Sequence, residues 1–223
     1  MTQPALFLDR DGTLVQPRHY PTRPEELRLY AGIAPELRAL QARGMRVVVI
    51  TNQAGIARGY LTEADLVRMH AALCAELETL SVCVDGIYHC PHHPEGVVPA
   101  LAVRCGCRKP APGLLLRAAA ELDLDLARSW FVGDILDDVE AGNRAGCRTV
   151  LVDLGTEPEP PSVARTPSYM ACDTCHALRI VRAAAFGEGA AELDYRPARW
   201  GPPAGAGAEA MRASVGGDDA YAR

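Results

Sequence analysis

The hydrophobic positions of the first 155 residues fall into short apolar runs that alternate with stretches of helical period, as in successive βαβ units. Ala5-Leu6-Phe7-Leu8 is an apolar run that stops on Asp9. Leu37 and Leu40, with Pro35 before them and Gly44 after, predict a helix of about ten residues. Arg46 to Ile50 reads as an almost continuous apolar strand of a parallel sheet covered on both faces, and it gives way to Thr51-Asn52-Gln53. Thr62 and Asp65 form a capping signal ahead of Leu66, Met69, Leu73, Leu77 and Leu80, a core stripe at helical spacing. Gly86 to His89 predicts a third strand, followed by a loop rich in Cys, His and Pro. Pro112 opens another helix, with Leu115, Leu116, Ala119 and Leu122 expected to face inward. Trp130-Phe131-Val132 predicts a strand that runs into Gly133-Asp134. A helix from about Leu136 to Ala145, stopped by Gly146, follows it. Thr149 to Val152 is the last well-marked strand. No repeat is found.

After Gly155 the pattern changes. Glu157-Pro158-Glu159-Pro160-Pro161 reads as a stiff polar connector, and Tyr169 to Phe186 supplies one more strand and helix. From Arg196 onward Gly, Pro and Ala dominate. The expected organisation is one domain over residues 1–185 and a disordered tail over 186–223. The fold class expected is α/β, a Rossmann-like doubly wound parallel sheet.

Composition narrows the function classes. A chain of 223 residues with 48% hydrophobic and 23% charged positions can bury a core without disulfides. Aromatic residues are only 5%, so aliphatic side chains must fill that core. A net charge of −5 argues against non-specific binding to nucleic acid or anionic membrane. No apolar run reaches the roughly 18 residues of a membrane span, and no signal peptide is read at the start. A cytoplasmic, monomeric enzyme is the expectation.

Chemistry in open α/β sheets sits at the carboxyl ends of the strands. Three predicted strands end in reactive polar groups: Asp9 with Asp11, Thr51, and Asp134 with Asp138. A carboxylate straight after a buried strand is expensive to desolvate unless a cation or hydrogen bonds satisfy it. A second cluster lies in the loop: Cys90-Pro91-His92, then Cys105-Gly106-Cys107. Three thiolates and one imidazole are a tetrahedral Zn²⁺ set of the structural kind, with no open position for catalysis. The alternative is a buried thiol cluster beside surface histidines, and His93 is a spare ligand candidate. Cys172-Asp173-Thr174-Cys175-His176 spells a haem-attachment word. Here it is read as a core cysteine (Cys172) and a cysteine near a helix cap (Cys175). Cys74, Cys83 and Cys147 read as small buried hydrophobes, and His70 as a polar helix-face residue.

The run Phe7-Leu8-Asp9-Arg10-Asp11-Gly12-Thr13 resembles the first motif of the haloacid dehalogenase-like (HAD) phosphohydrolases. Thr51, Lys109 and Gly133-Asp134 with Asp138 match the second, third and fourth motifs in order. The resemblance tightens around Thr51-Asn52-Gln53-Ala54-Gly55-Ile56-Ala57-Arg58-Gly59, the Cys-Pro-His-His-Pro run and Cys105-Gly106-Cys107-Arg108-Lys109-Pro110. These are similar to the heptose 1,7-bisphosphate 7-phosphatases, capless enzymes with a Mg²⁺ site and a zinc loop, here about residues 90–109. The match covers about residues 5–155, and extends weakly to about 185.

The resemblance implies a phosphomonoester hydrolase that forms an aspartyl phosphate. Asp9 would attack phosphorus and bind Mg²⁺, and Asp134 would add a second carboxylate to the metal. Asp11 would serve as acid and then base, its main-chain carbonyl also meeting the metal. Thr51 and Lys109 would hold the transferring phosphoryl group, and Asn52 and Arg108 would contact substrate. Asp138 would orient water or metal. The substrate implied is a small phosphorylated sugar, first of all the 7-phosphate of the heptose bisphosphate. Histidinol phosphate or another small monoester is the alternative, and an inactive zinc-stapled binding module is the non-enzyme alternative. Arg18, Arg58, Arg108 and Lys109 are read as four positive charges on the loops around the site. Two departures from the resemblance bear on substrate choice: Pro17-Arg18-His19-Tyr20-Pro21 after the first motif, and Ile135 where a basic residue is expected.

Overall fold

The computed structural model describes residues 2–188. Six parallel strands form one sheet: β1 (Ala5–Leu8), β2 (Arg46–Asn52), β3 (Gly86–Cys90), β4 (Trp130–Gly133), β5 (Arg148–Val152) and β6 (Tyr169–Ala171). Five helices connect or follow them: α1 (Ile33–Ala42), α2 (Glu63–Thr79), α3 (Gly113–Leu122), α4 (Leu136–Ala145) and α5 (Thr174–Phe186). The strand order is β3-β2-β1-β4-β5-β6. The chain therefore winds outward from β1 in one direction, then returns to β4 and winds in the other. That places the topological switch point between the carboxyl ends of β1 and β4, where ligands bind in such sheets.

The alternation of side chains along each strand sorts the core into two layers. Leu6, Leu8, Val47, Val49, Trp130 and Val132 face α1, α2 and α5, whereas Ala5, Phe7, Val48, Ile50 and Phe131 face α3 and α4. Both layers are apolar because both faces are covered. The register Leu6↔Val47 and Leu6↔Trp130 carries this division across the centre of the sheet.

The helix starts and stops follow their local signals. Thr62 accepts from the Asp65 main-chain N–H while Asp65 reaches back to the Thr62 N–H at 2.8 Å, the capping box expected for α2. Gly146 closes α4 in the left-handed conformation. Several burial expectations are corrected. In α3 the buried residues are Leu114, Leu115 and Ala118, and Leu116 is exposed. The run Leu114-Leu115-Leu116 leaves the rotation of the helix undetermined until it meets its neighbours. Leu80 lies past the end of α2 and is exposed. Cys83 and Cys172 are exposed, Cys74 and Cys175 are partly buried, and only Cys147 of the five is buried.

The connector after β5 folds back over α4. Glu157 accepts a hydrogen bond from the Leu136 main chain at 2.9 Å, and Asn143 donates to the carbonyls of Ala164 and Thr166. Among the described residues no further domain interrupts the connections after β1 and β2, which hold α1, α2, loops and a single 3-10 turn at Pro24–Glu26. No helix is long and apolar enough to cross a membrane. The greater part of the expected tail, residues 189–223, lies outside the described residues.

Candidate active site

β1 ends at Leu8, so the next residue, Asp9, emerges at the switch point, and its main-chain N–H donates to the Val132 carbonyl of β4. Asp134 follows β4, and Asp138 sits one turn into α4. The oxygens of Asp9, Asp134 and Asp138 lie within 4.8 Å of one another, and all three residues are buried. Lys109 reaches into this group from the loop before α3. Its Nζ stands 2.5 Å from Asp9 Oδ1 and 2.5 Å from Asp138 Oδ1, and donates to the Ile50 carbonyl at 3.1 Å.

The charge balance decides what such a group can do. Three carboxylates face one ammonium, a deficit that low-dielectric surroundings make expensive. Burial raises Asp9, Lys109 pulls it down, and the charges of Asp138, Asp134 and Asp11 add to the rise, leaving it well above the ordinary carboxylate range. Burial and then Asp138 push Asp134 up to about 7. Burial likewise raises Asp138 against the pull of Lys109. Burial alone would lower Lys109, but Asp138 and Asp9 outweigh it and the ammonium is held protonated. A divalent cation among these oxygens removes the deficit, and the all-oxygen donor set suits a hard ion. The cradle is tight. A Cβ built on Gly12, at φ +91°, would fall 2.2 Å from Asp134 Oδ2. Thr13 donates to Asp134 Oδ1 at 3.1 Å and receives at its own carbonyl a 2.7 Å bond from Thr174, which ties the first motif to α5.

The remaining expected residues are distributed unequally. Thr51 is buried at the end of β2, and its hydroxyl accepts from Gln53 Nε2 at 2.9 Å. Asn52 Nδ2 donates to the Lys109 carbonyl and Asn52 Oδ1 accepts from the Lys109 N–H, so both ends clamp the lysine loop. Asp138 engages Lys109 directly, and its second oxygen accepts from the Ile135 N–H. Lys109 is buried, whereas Arg18 is exposed. Arg58 faces His93 and Glu95, and Arg108 donates to the His92 carbonyl.

Three residues were missed by sequence reasoning. Arg10 is fully buried, and its guanidinium grips both oxygens of Asp11, the shortest contact being 2.7 Å. Gln53 donates to Asp11 Oδ2 at 2.9 Å. His70, read as a polar face residue, is half-buried with Nε2 3.2 Å from Arg10 NH1. The available signal was the basic residue between two motif aspartates, which sits on a buried strand end and so must be paired.

Cys90, His92, Cys105 and Cys107 converge at the end of β3. Their contacts are Cys90–Cys105 3.5 Å, Cys90–Cys107 3.3 Å, Cys105–Cys107 3.2 Å, and His92 Nδ1 at 3.5 and 3.4 Å from Cys90 and Cys107. Four soft or borderline donors packed this closely can hold one tetrahedral ion. His93 is not among them.

A family model described as HAD-hydrolase-like matches residues 106–176. A D-glycero-beta-D-manno-heptose-1,7-bisphosphate 7-phosphatase of Rhodopseudomonas palustris is 44% identical over 144 residues, 65% of this chain and 80% of the relative. The enzyme of the same description from Yersinia pestis is 42% identical over 158 residues, 70% of this chain and 84% of the relative. A crystal structure of D,D-heptose 1,7-bisphosphate phosphatase from B. bronchiseptica, complexed with magnesium and phosphate, superposes with a TM-score of 0.68 at 30% identity, covering 82% of this chain and 99% of that one. Likeness of this extent, on a parallel sheet whose switch point gathers buried carboxylates around one lysine, places the chain in a known group: it belongs to the HAD-like hydrolases, in the family of the heptose-1,7-bisphosphate 7-phosphatases.

Proposed function

We propose that this chain is a Mg²⁺-dependent phosphatase that hydrolyses the 7-phosphate of D-glycero-β-D-manno-heptose 1,7-bisphosphate, with residues 1–185 carrying the activity. The observation that carries the reading is the buried Asp9 at the switch point, held by Lys109 within reach of Asp134. Phosphate monoesters hydrolyse extremely slowly without help, and two anions must meet before any bond forms. Mg²⁺, bound by Asp9, Asp134 and the Asp11 carbonyl, would supply the positive charge that lets the phosphoryl group approach a carboxylate.

The chain's own groups do the rest. Asp9 attacks phosphorus as the nucleophile, and Lys109 neutralises the oxygens around it while keeping the carboxylate oriented. Asp138 holds Lys109 from the other side. The Thr51 hydroxyl donates to a phosphoryl oxygen. Asp11 gives a proton to the departing sugar oxygen, then takes one from the water that cleaves the aspartyl phosphate. Arg108 and Arg58 stand on the loops where the phosphate that is not cleaved would lie.

The thiol cluster is read as a structural Zn²⁺ site. Its sulfur spacings of 3.2–3.5 Å approach the roughly 3.8 Å edge of a tetrahedron with Zn–S bonds of about 2.3 Å. Burial raises the Cys90 and Cys107 thiols, whereas at Cys105 hydrogen bonds from Cys107 and the Arg108 main chain outweigh burial and lower it. The ion would staple the Lys109 loop to β3.

Phosphate release from the heptose bisphosphate, histidinol phosphate and hexose bisphosphates, with and without Mg²⁺, tests the reading. The heptose bisphosphate is expected to give the highest kcat/KM, and folded Asp9→Asn to be inactive. Mass spectrometry should find the trapped phosphate on Asp9. Preference for histidinol phosphate would overturn the substrate, and phosphate on another residue would overturn the mechanism.

A further inference from the structure

The Asp11 carboxylate has about four acceptor positions when ionised. The Arg10 fork faces both oxygens, with Nε at 3.1 Å from each and NH2 at 3.0 Å from Oδ1 and 2.7 Å from Oδ2. Gln53 adds a further donor to Oδ2 alone. Oδ1 thus faces two donors and Oδ2 three, which leaves Oδ1 the less heavily hydrogen-bonded oxygen. The side chain remains 27% exposed, so the carboxylate still meets solvent. The fork has its own support. Arg10 is completely buried, and its NH1, the nitrogen that does not serve Asp11, points to His70 Nε2 at 3.2 Å. For that contact to attract, the imidazole must be neutral and accept through Nε2. Burial, and then the charges of Arg10 and His89, hold His70 down to about 3, so it stays neutral at any working pH.

We infer that His70, on α2, is a positioning residue that orients Arg10, and that Arg10 with Gln53 fixes Asp11 so that Oδ1 is the oxygen that carries the proton in both halves of the reaction. This rests on the phosphatase reading above. In the first half the Asp9–phosphorus bond forms, the bond from phosphorus to the sugar oxygen breaks, and the proton on Asp11 Oδ1 passes to that oxygen. In the second half water forms the new bond to phosphorus, the Asp9–phosphorus bond breaks, and the water proton returns to Oδ1. A pre-set carboxylate avoids reorientation between the halves, which is where positioning contributes to rate.

The test compares His70→Leu, which removes the acceptor, with His70→Gln, whose amide oxygen can reach the position of Nε2. It adds Arg10→Lys, which keeps charge and loses the fork. Each is assayed with p-nitrophenyl phosphate, whose leaving group needs no proton, as well as with the sugar bisphosphate. His70→Leu should lower steady-state kcat about tenfold or more on both substrates with KM within about twofold. It should retain the rapid burst of nitrophenolate, because nucleophilic attack by Asp9 is untouched while breakdown of the aspartyl phosphate slows. His70→Gln should recover most of the loss, and Arg10→Lys should behave as His70→Leu does. Wild-type kcat in folded His70→Leu would overturn the inference, as would a loss confined to KM, an abolished burst, or failure of His70→Gln to recover activity while its melting curve matches wild type. Should Arg10→Lys fail to fold, the two His70 variants decide alone. Absence of phosphatase activity in the wild-type protein would instead overturn the functional reading on which this rests.

Discussion

Gly12→Ala and Gly44→Ala form a matched pair that isolates the steric demand of the metal cradle. Both glycines have positive φ, +91° at Gly12 and +83° at Gly44. An alanine in the left-handed region costs roughly 1–2 kcal/mol relative to its preferred conformations. In a domain of this size that lowers the melting temperature by about 2–8 °C. Gly44 follows α1 and nothing lies within 4 Å of a Cβ built there, so its substitution reports backbone strain alone. At Gly12 the Cβ would stand 2.2 Å from Asp134 Oδ2 and 2.6 Å from its Cγ, where ordinary contact begins at 3.4 Å. The carboxylate must retreat by about 1 Å, which also breaks its bond from Thr13. A misplacement of that size at a reacting centre costs ~10²-fold in rate. Gly12→Ala should therefore lose about a hundredfold in kcat and need more Mg²⁺, whereas Gly44→Ala should keep its activity within about twofold. Thermal melts read the strain, and steady-state kinetics across a Mg²⁺ titration reads the cradle. If folded Gly12→Ala turns over within threefold of wild type, Asp134 is not held where the reaction needs it.

Metal-free protein should lose stability as pH rises from about 5.5 to 8, because Asp134 with its folded pKa of about 7 binds more protons than the unfolded chain does. Mg²⁺ should therefore raise the melting temperature more at pH 8 than at pH 5.5, and equal stabilisation at both would refute the assignment. Cys107→Ser should lose zinc by elemental analysis and melt at least about 5 °C lower, since binding energy at such a site is folding energy. Arg108→Ala should raise KM for a bisphosphate roughly ten- to a hundredfold and for the matching monophosphate much less. Equal effects on both would assign Arg108 to the reacting phosphate.

What the sequence by itself determined about this protein is local. Apolar runs mark β1, β2, β4 and β5 because strands buried on both faces cannot tolerate polar residues. Thr62 with Asp65 and Gly146 mark helix ends because the main-chain groups there must be satisfied within a few residues. Asp9, Thr51 and Asp134 stand where those runs stop, so a candidate site at the strand ends was legible, as was the cluster of Cys90, His92, Cys105 and Cys107. Only the tertiary structure decided the rest. Leu114 rather than Leu116 faces the core because the phase of a helix with three successive leucines is set by the sheet it meets. Asn52 clamps the Lys109 main chain because the two residues, 57 positions apart, meet only once β2 and the loop before α3 are side by side. Arg10 reads as an ordinary charge in the sequence, yet it is the most enclosed cation of the site. Its partner His70 lies 60 positions away on α2. Pairing of buried polar groups is enforced by desolvation, and desolvation exists only after the chain has packed.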